Sequence, residues 1–273
     1  MLKDRILTAL VLIPVFLLAV LWPDARLLAA LMLIVTAIAS FEWARLINKS
    51  KGFTYAYSGI TFVFILSIYI VEFELVYLAL MALAAVFWCL AFAIIIGYQH
   101  ERVVLPESRM LMMCLGQVLL VAAWSSLFYL KNAISTNGFL LLLLLFIIWA
   151  ADSGAYFIGR KWGKRRLASR VSPGKTWEGT VAGLICGLLV GLLYIVFSGA
   201  DSSHYFIIMT VTILAAVFSV IGDLFESIVK RNANVKDSGQ LLPGHGGALD
   251  RIDSLLAAGP VFVLTFSLFG SVT

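Results

Sequence analysis

The sequence predicts an all-α, polytopic membrane protein of about nine spanning helices, and three observations predict it. Hydrophobic residues make up 62% of the 273 positions and the mean hydropathy is +1.02, far above the roughly 45–50% apolar content of a soluble domain. The apolar runs are continuous and about 20 residues long, where strands of a membrane barrel would alternate over about 10. Lysine and arginine gather between alternate runs, so one membrane face is basic. Helices satisfy their own backbone hydrogen bonds, which is why continuous apolar runs read as helical spans.

Runs long enough to cross lie near 6–22, 27–47, 55–71, 75–97, 110–130, 138–158, 178–197, 205–226 and 252–270. The first follows "MLKDR" and resembles a secretory signal. It lacks a small-residue cleavage site, and eight more spans follow, so it reads as a retained helix with Pro14 a tolerated kink. No linker or repeat marks a second domain, so residues 1–273 read as one membrane domain. Up to residue 137 the loops are short and ordinary, a scaffold; residues 138–273 carry the long polar loops and form the expected catalytic half. Cys89, Cys114 and Cys186 are isolated within spans and read as small apolar filler. Gly179, Gly183, Gly187 and Gly191 recur every four residues and form a smooth stripe on the seventh run, suited to close packing within the chain or across a homodimer. His100 and His204 lie in ordinary loops.

The net charge of +5 does not point to nucleic acid, because the bases lie at a membrane face without interleaved aromatics on a polar domain. Anionic lipid headgroups and phosphates fit them better.

Four polar stretches in the second half carry candidate chemistry. In "WAADSGAYFIGRKWGK", Asp152 lies about two turns inside its span, where an unpaired carboxylate is costly and is usually retained for a site. In "SRVSPGKTWEGT", the "GKT" resembles a phosphate-binding loop, but Ser169 stands where that motif requires glycine. What remains is a Pro173-Gly174 turn with Lys175 beside it, then a helix capped by Thr176 with Glu178 in its first turn, a plausible phosphate seat. In "IGDLFESIVKR", a continuing helix would place Asp223, Glu226, Ser227 and Lys230 on one face. In "KDSGQLLPGHGGALDRIDS", the "GHGG" amides can approach an anion, and "DRIDS" puts Asp250 and Asp253 three apart on the last helix. Asp223 and Asp250, at two helix ends, suit a hard cation such as Mg²⁺, leaving the bases to hold phosphates.

The run from Ser227 to Asp253, "SIVKRNANVKDSGQLLPGHGGALDRID", closely resembles the signature of phosphatidate cytidylyltransferases, also called CDP-diacylglycerol synthases. "ADSGAYFIGR" and "VSPGKTWEG" are similar to other recurring stretches of that family. Ala248 departs from the pattern, standing after His-Gly-Gly where the family has a larger aliphatic residue. The resemblance implies transfer of the cytidylyl group of CTP to phosphatidate, with a divalent cation, at the cytoplasmic side of a cell membrane. It implies Asp223 and Asp250 as metal ligands, with Asp253 and Asp152 beside them, and Lys175 and Lys236 as catalytic cations. Ser172, Ser227, Lys230, Arg231, Asp237, His245, Gly246, Gly247 and Arg251 join Lys175 and Lys236 as substrate-binding candidates. A CTP-dependent lipid kinase of the polyprenol kinase type and an ion-coupled transporter are the alternatives. A kinase would profit from a general base for its hydroxyl nucleophile, and a transporter would place its acids nearer the midplane.

With a cytoplasmic amino terminus, 18 of the 20 lysines and arginines face the cytoplasm; Arg26 and Lys131 do not. A topology reporter fused after Thr273 is therefore expected to be active only outside the cytoplasm, and one inserted after Lys51 only inside. The reverse pattern would refute the nine-span arrangement.

Overall fold

The computed structural model describes residues 14–106, 108–135, 137–199, 201–239 and 246–269. Residues 14–21 are the described part of helix α1. Then come α2 (Ala25–Ile47), α3 (Lys51–Val71), α4 (Glu74–Gln99), α5 (Arg109–Tyr129), α6 (Phe139–Trp162), α7 (Trp177–Ser198), α8 (Tyr205–Asn232) and α9 (Leu249–Phe269). Among the described residues, eight helices are long and apolar enough to span a membrane. Residues 6–13 of the first expected span lie outside them. The polytopic all-α class is thus what the chain adopts, with one addition: a small hairpin of β1 (Arg166–Ala168) and β2 (Ser172–Thr176) between α6 and α7.

Several helices run further than hydropathy alone indicates. α6 continues to Trp162, whose last turn holds Arg160 and Lys161, cations that suit a helix carboxyl end. Asp152 therefore lies about a turn deeper from its helix end than expected. α8 continues to Asn232 with Lys230 and Arg231 in its last turn. Pro173 and Gly174 do not form the expected turn; they lie in extended β2, and the hairpin turns at residues 169–171. Pairing of Thr176 with Arg166 and of Ser172 with Ala168, with a bulge in register between the two pairs, holds that segment extended. A two-stranded hairpin tolerates proline because one edge of each strand needs no donor. Thr176 caps α7 as expected, its hydroxyl accepting from Gly179 N at 3.2 Å.

The glycine stripe packs within the chain. Gly179, Gly183, Gly187 and Gly191 are the buried residues of α7. A side chain at Gly183 would run into the Ala151 carbonyl, at 2.5 Å, and one at Gly191 into the Thr212 hydroxyl, at 2.6 Å, so α7 is clasped between α6 and α8.

Aromatic donors tie the bundle together. Trp43 donates its indole N–H to Met112 O (3.0 Å), Tyr57 its hydroxyl to Met113 O (2.8 Å), and Trp124 its indole N–H to Ala29 O (3.1 Å). Each buries a large ring while its polar atom finds a partner. Trp88 does something more specific. Pro260, inside α9, has no N–H for the carbonyl four residues back, Leu256 O. The Trp88 indole N–H supplies that hydrogen bond from α4, at 3.0 Å.

Trp88→Phe should leave Leu256 O without its donor and lower thermal stability by about 1–3 kcal/mol, the usual cost of an unsatisfied buried polar group. In a Pro260→Ala background the backbone N–H returns, and the same substitution should cost distinctly less. Equal losses in both backgrounds, measured by thermal unfolding in detergent, would refute the coupling.

Candidate active site

The polar loops following α2, α4, α6 and α8 meet at one end of the bundle. Gln99 bonds Ser169 (2.9 Å) and accepts from Arg170 N (3.1 Å), and Arg231 donates to Val171 O (3.3 Å). These contacts seat the hairpin against α4 and α8. Glu178 accepts from the amides of Lys164 and Arg165 (3.1 and 3.2 Å), closing the return from α6 into β1. The hairpin so fixed delivers Lys175 to α8.

Two ion-pair groups form beneath it. In the first, Lys175 Nζ lies 2.5 Å from Asp223 Oδ2, and both side chains are about a quarter exposed (26% and 28%). Ser227 Oγ, one turn along α8, donates to Asp223 Oδ1 at 3.4 Å. Asp152 of α6 and Asp253 of α9 lie close enough to feel the Asp223 charge and that of Lys175. In the second, Lys230 sits between Glu226, one turn before it on α8, and Asp250 of α9, whose Oδ1 is 2.6 Å away. All three side chains are nearly buried. Asp250 also accepts from Gly247 N (2.8 Å) and Ser238 N (3.0 Å). Glu226 Oε1 is buried without a hydrogen-bond partner.

The helical face foreseen for Asp223, Glu226, Ser227 and Lys230 is therefore present. The acids divide differently from the expected pairing: Asp223 groups with Asp152 and Asp253, and Asp250 with Glu226 through Lys230. Among the described residues, no three carboxylates surround a common point at metal-ligating geometry.

The remaining candidates are placed as follows. Arg231 donates to the carbonyls of Val171 and Val235 (3.3 and 3.2 Å), so its guanidinium ties backbone segments. Lys236 and Asp237 are exposed; with Arg45 of α2 and Lys49 in the loop after it they line a cavity of about 580 Å³. Ser172 is half-buried in β2, and Arg251 is exposed in the first turn of α9. His245 lies outside the described residues. Gly246 has φ +81°, a left-handed conformation that favours glycine, and the Gly247 amide is aimed at Asp250. Among the described residues of the glycine-rich segment, the Gly247 amide thus serves the chain's own Asp250 carboxylate.

Two residues gain their place only from the fold. Glu226 stands on the expected helical face, and the structure pairs it with Lys230 beside Asp250. Glu42 of α2 was hidden in the first half; it is 3% exposed, and its carboxylate accepts from the amides of Ala248 (3.1 Å) and Leu249 (2.8 Å). The one local signal was an acid inside an apolar run.

Comparison with known proteins extends the picture beyond the matched motifs. The pattern of the Cytidylyltransferase family matches residues 3–269. A protein of Pseudomonas aeruginosa named phosphatidate cytidylyltransferase is 39% identical over 263 residues, 96% of each chain. One of the same name from Haemophilus influenzae is 37% identical over 96% of this chain and 97% of its own. A third, from Bacillus subtilis, is 42% identical over 123 residues, 45% of each chain. The family pattern runs through the scaffold helices as well as through the acidic cluster, and the chain belongs to the cytidylyltransferase family.

Proposed function

We propose that this protein transfers the cytidylyl group of CTP to phosphatidate, giving CDP-diacylglycerol and pyrophosphate. The observation that carries the reading is the end-to-end similarity to relatives named phosphatidate cytidylyltransferase. The site is compatible in chemistry. Five carboxylates, of Asp152, Asp223, Glu226, Asp250 and Asp253, face two ammonium groups, of Lys175 and Lys230. Arg45, Lys49 and Lys236 line a separate, mainly basic cavity next to Ser238, whose amide holds Asp250. An apolar groove of about 600 Å³ runs between α6 and α7 from Ser153, adjacent in the chain to Asp152, to Phe139 and Phe197. Hydrocarbon tails of a lipid suit this groove.

The reaction asks little proton chemistry of the chain. A phosphate monoester has a second pKa of about 6 and is largely dianionic near neutral pH. Its oxygen attacks the α-phosphorus of CTP, a new P–O bond forms, and the bond from the α-phosphorus to the bridging oxygen breaks, releasing pyrophosphate. The obstacle is repulsion between two polyanions, so orientation and charge compensation are what the protein supplies. On this reading Lys175 and Lys236 contact phosphate oxygens, with Ser172, Ser227, Asp237, Arg231, Arg251, His245, Gly246 and Gly247 shaping the substrate surfaces. Lys230 is held by two carboxylates and sets the spacing of α8 and α9.

Nucleotidyl transfer generally employs a divalent cation, which supplies charge neutralisation to the phosphates. The donor set fits one: the acids are hard oxygen ligands, they outnumber the lysines, and Glu226 Oε1 is buried and unpartnered. Asp223, Asp253 and Asp152 would hold it, with Asp250 at the α9 end, once their side chains turned from the separate groups described above toward a common point; Mg²⁺ is the natural ion for such ligands. The site faces the cytoplasm, as the basic loops imply, in the cell membrane of a bacterium if the source matches its relatives.

The phosphorus label decides between reactions. Purified protein given phosphatidate, Mg²⁺ and CTP labelled at the α-phosphorus should move the label into lipid, while γ-label should leave as pyrophosphate. Label from the γ position in lipid would indicate a lipid kinase and overturn the reading; no transfer of either label would favour transport.

Asp223→Asn is the cleaner ligand test, because its pair with Lys175 is partly exposed. Asp250→Asn would break a nearly buried pair and risks about 3–5 kcal/mol of stability. Asp223→Asn should insert and purify normally yet lose activity by at least about a hundred-fold, the order expected when one charge-stabilising group is removed. Lys175→Ala should lower kcat/KM by about ten-fold or more, since a hydrogen bond to a charged group is worth about 1.5–3 kcal/mol. Wild-type turnover across a Mg²⁺ titration would remove the residue concerned from the site.

A further inference from the structure

Glu42 belongs to α2, far in sequence from the acidic cluster, and all its hydrogen bonds among the described residues come from neutral donors in the carboxyl-terminal part. Ser238 Oγ donates at 3.0 Å, Ala248 N at 3.1 Å and Leu249 N at 2.8 Å. Burying a carboxylate costs several kcal/mol unless strong donors meet it. Here two donors are amides at the start of α9, which have no acceptor within their own helix and carry the positive end of its dipole. Glu42 is thus an amino-terminal cap lent to α9 by another helix.

The third donor gives the contact its wider reach. Ser238 lies before the 240–245 segment and Ala248 after it, so one carboxylate fastens both flanks. The fit is close on each side. A Cβ on Gly247 would stand 2.5 Å from Glu42 Oε2, and one on Gly239 2.6 Å from Glu42 Cδ. The two amides that hold Asp250 belong to Ser238 and Gly247. Ser238 is itself a Glu42 partner, and Gly247 precedes one. Any shift of Glu42 would therefore move both supports of Asp250 together.

We propose that Glu42 is a positioning residue for the cytidylyl-transfer site: it clamps the two flanks of the glycine-rich loop and, through Ser238 and Gly247, sets the Asp250 carboxylate. The inference rests on the functional reading above for its kinetic consequence, but not for its structural one. A carboxylate is needed because three donors converge on two oxygens. Glutamine would offer one oxygen and turn an NH₂ group toward N–H or O–H donors.

The test compares wild type, Glu42→Gln, Ser238→Ala and the double variant. Glu42→Gln should insert normally, exchange the amide hydrogens of residues 247–250 at least ten-fold faster, lower kcat at least ten-fold and raise the Mg²⁺ concentration for half-maximal rate, with KM for phosphatidate within two-fold. Ser238→Ala loosens one flank only and should shift the same quantities less, and the double variant should lose less than the product of the two. Faster exchange with unchanged kcat and Mg²⁺ dependence would overturn the proposal, reducing Glu42 to a helix cap. If Glu42→Gln fails to insert, Ser238→Ala decides: wild-type kcat and Mg²⁺ dependence would overturn the proposal. Wild-type protein inactive with CTP and phosphatidate would instead refute the functional reading, and unchanged amide exchange in Glu42→Gln would then refute the clamp separately.

Discussion

An ammonium group held between two carboxylates, Lys230 between Glu226 and Asp250, joins the last turns of α8 to the first turn of α9. In a medium of low polarity none of these charges is tolerable alone, and removing one partner from such a group is far more costly than the group is worth against an apolar replacement. The need to keep them together dictates much around them. α8 has to stay helical through Lys230 to keep Glu226 and Lys230 one turn apart. α9 has to begin by Leu249 so that Asp250 is in its first turn. The two helices have to approach closely, which Gly222 permits: a side chain there would collide with the Asp253 backbone.

The same intolerance of unpaired polarity governs the backbone. Pro260 breaks one hydrogen bond inside α9 and Trp88 restores it from α4, so a kink-prone residue becomes an inter-helix tie. Trp43, Tyr57 and Trp124 add ties to carbonyls that already accept within their helices. Glu42 extends this logic from carbonyl groups to amides. The amino-terminal helices are therefore more than a frame: through Glu42 one of them holds the chain segment that shapes the acidic cluster.

Charge is divided in a way that suits the chemistry of a cytidylyltransferase. The carboxylates of Glu226 and Asp250 are nearly buried, with Lys230 between them. The bases Arg45, Lys49 and Lys236 line a cavity of about 580 Å³ beside Ser238, roomy enough for phosphates. A substrate arriving from the membrane and one arriving from solution carry charge of the same sign. Acids that gather cations and bases that gather phosphates can bring the two together without any side chain having to abstract a proton.

What was legible in the sequence is what depends on near neighbours. Apolar runs, the cap at Thr176, the four-residue glycine stripe and the shared face of Asp223, Glu226, Ser227 and Lys230 all follow from helical spacing within one segment, and the helices keep that spacing. The signature from Ser227 to Asp253 was legible because it is contiguous. The hairpin was not, because Pro173 and Gly174 argue against a strand and only pairing with Arg166–Ala168 overrides them. Nor could spacing show that Asp152 and Asp253 share the field of Asp223, that Arg231 serves backbone carbonyls, or that Glu42 meets Ser238 across 196 residues. Periodicity determines which face a residue occupies on its own helix. Which helix lies against that face depends on packing and on the requirement that every buried charge find a partner, and only the folded chain decides that.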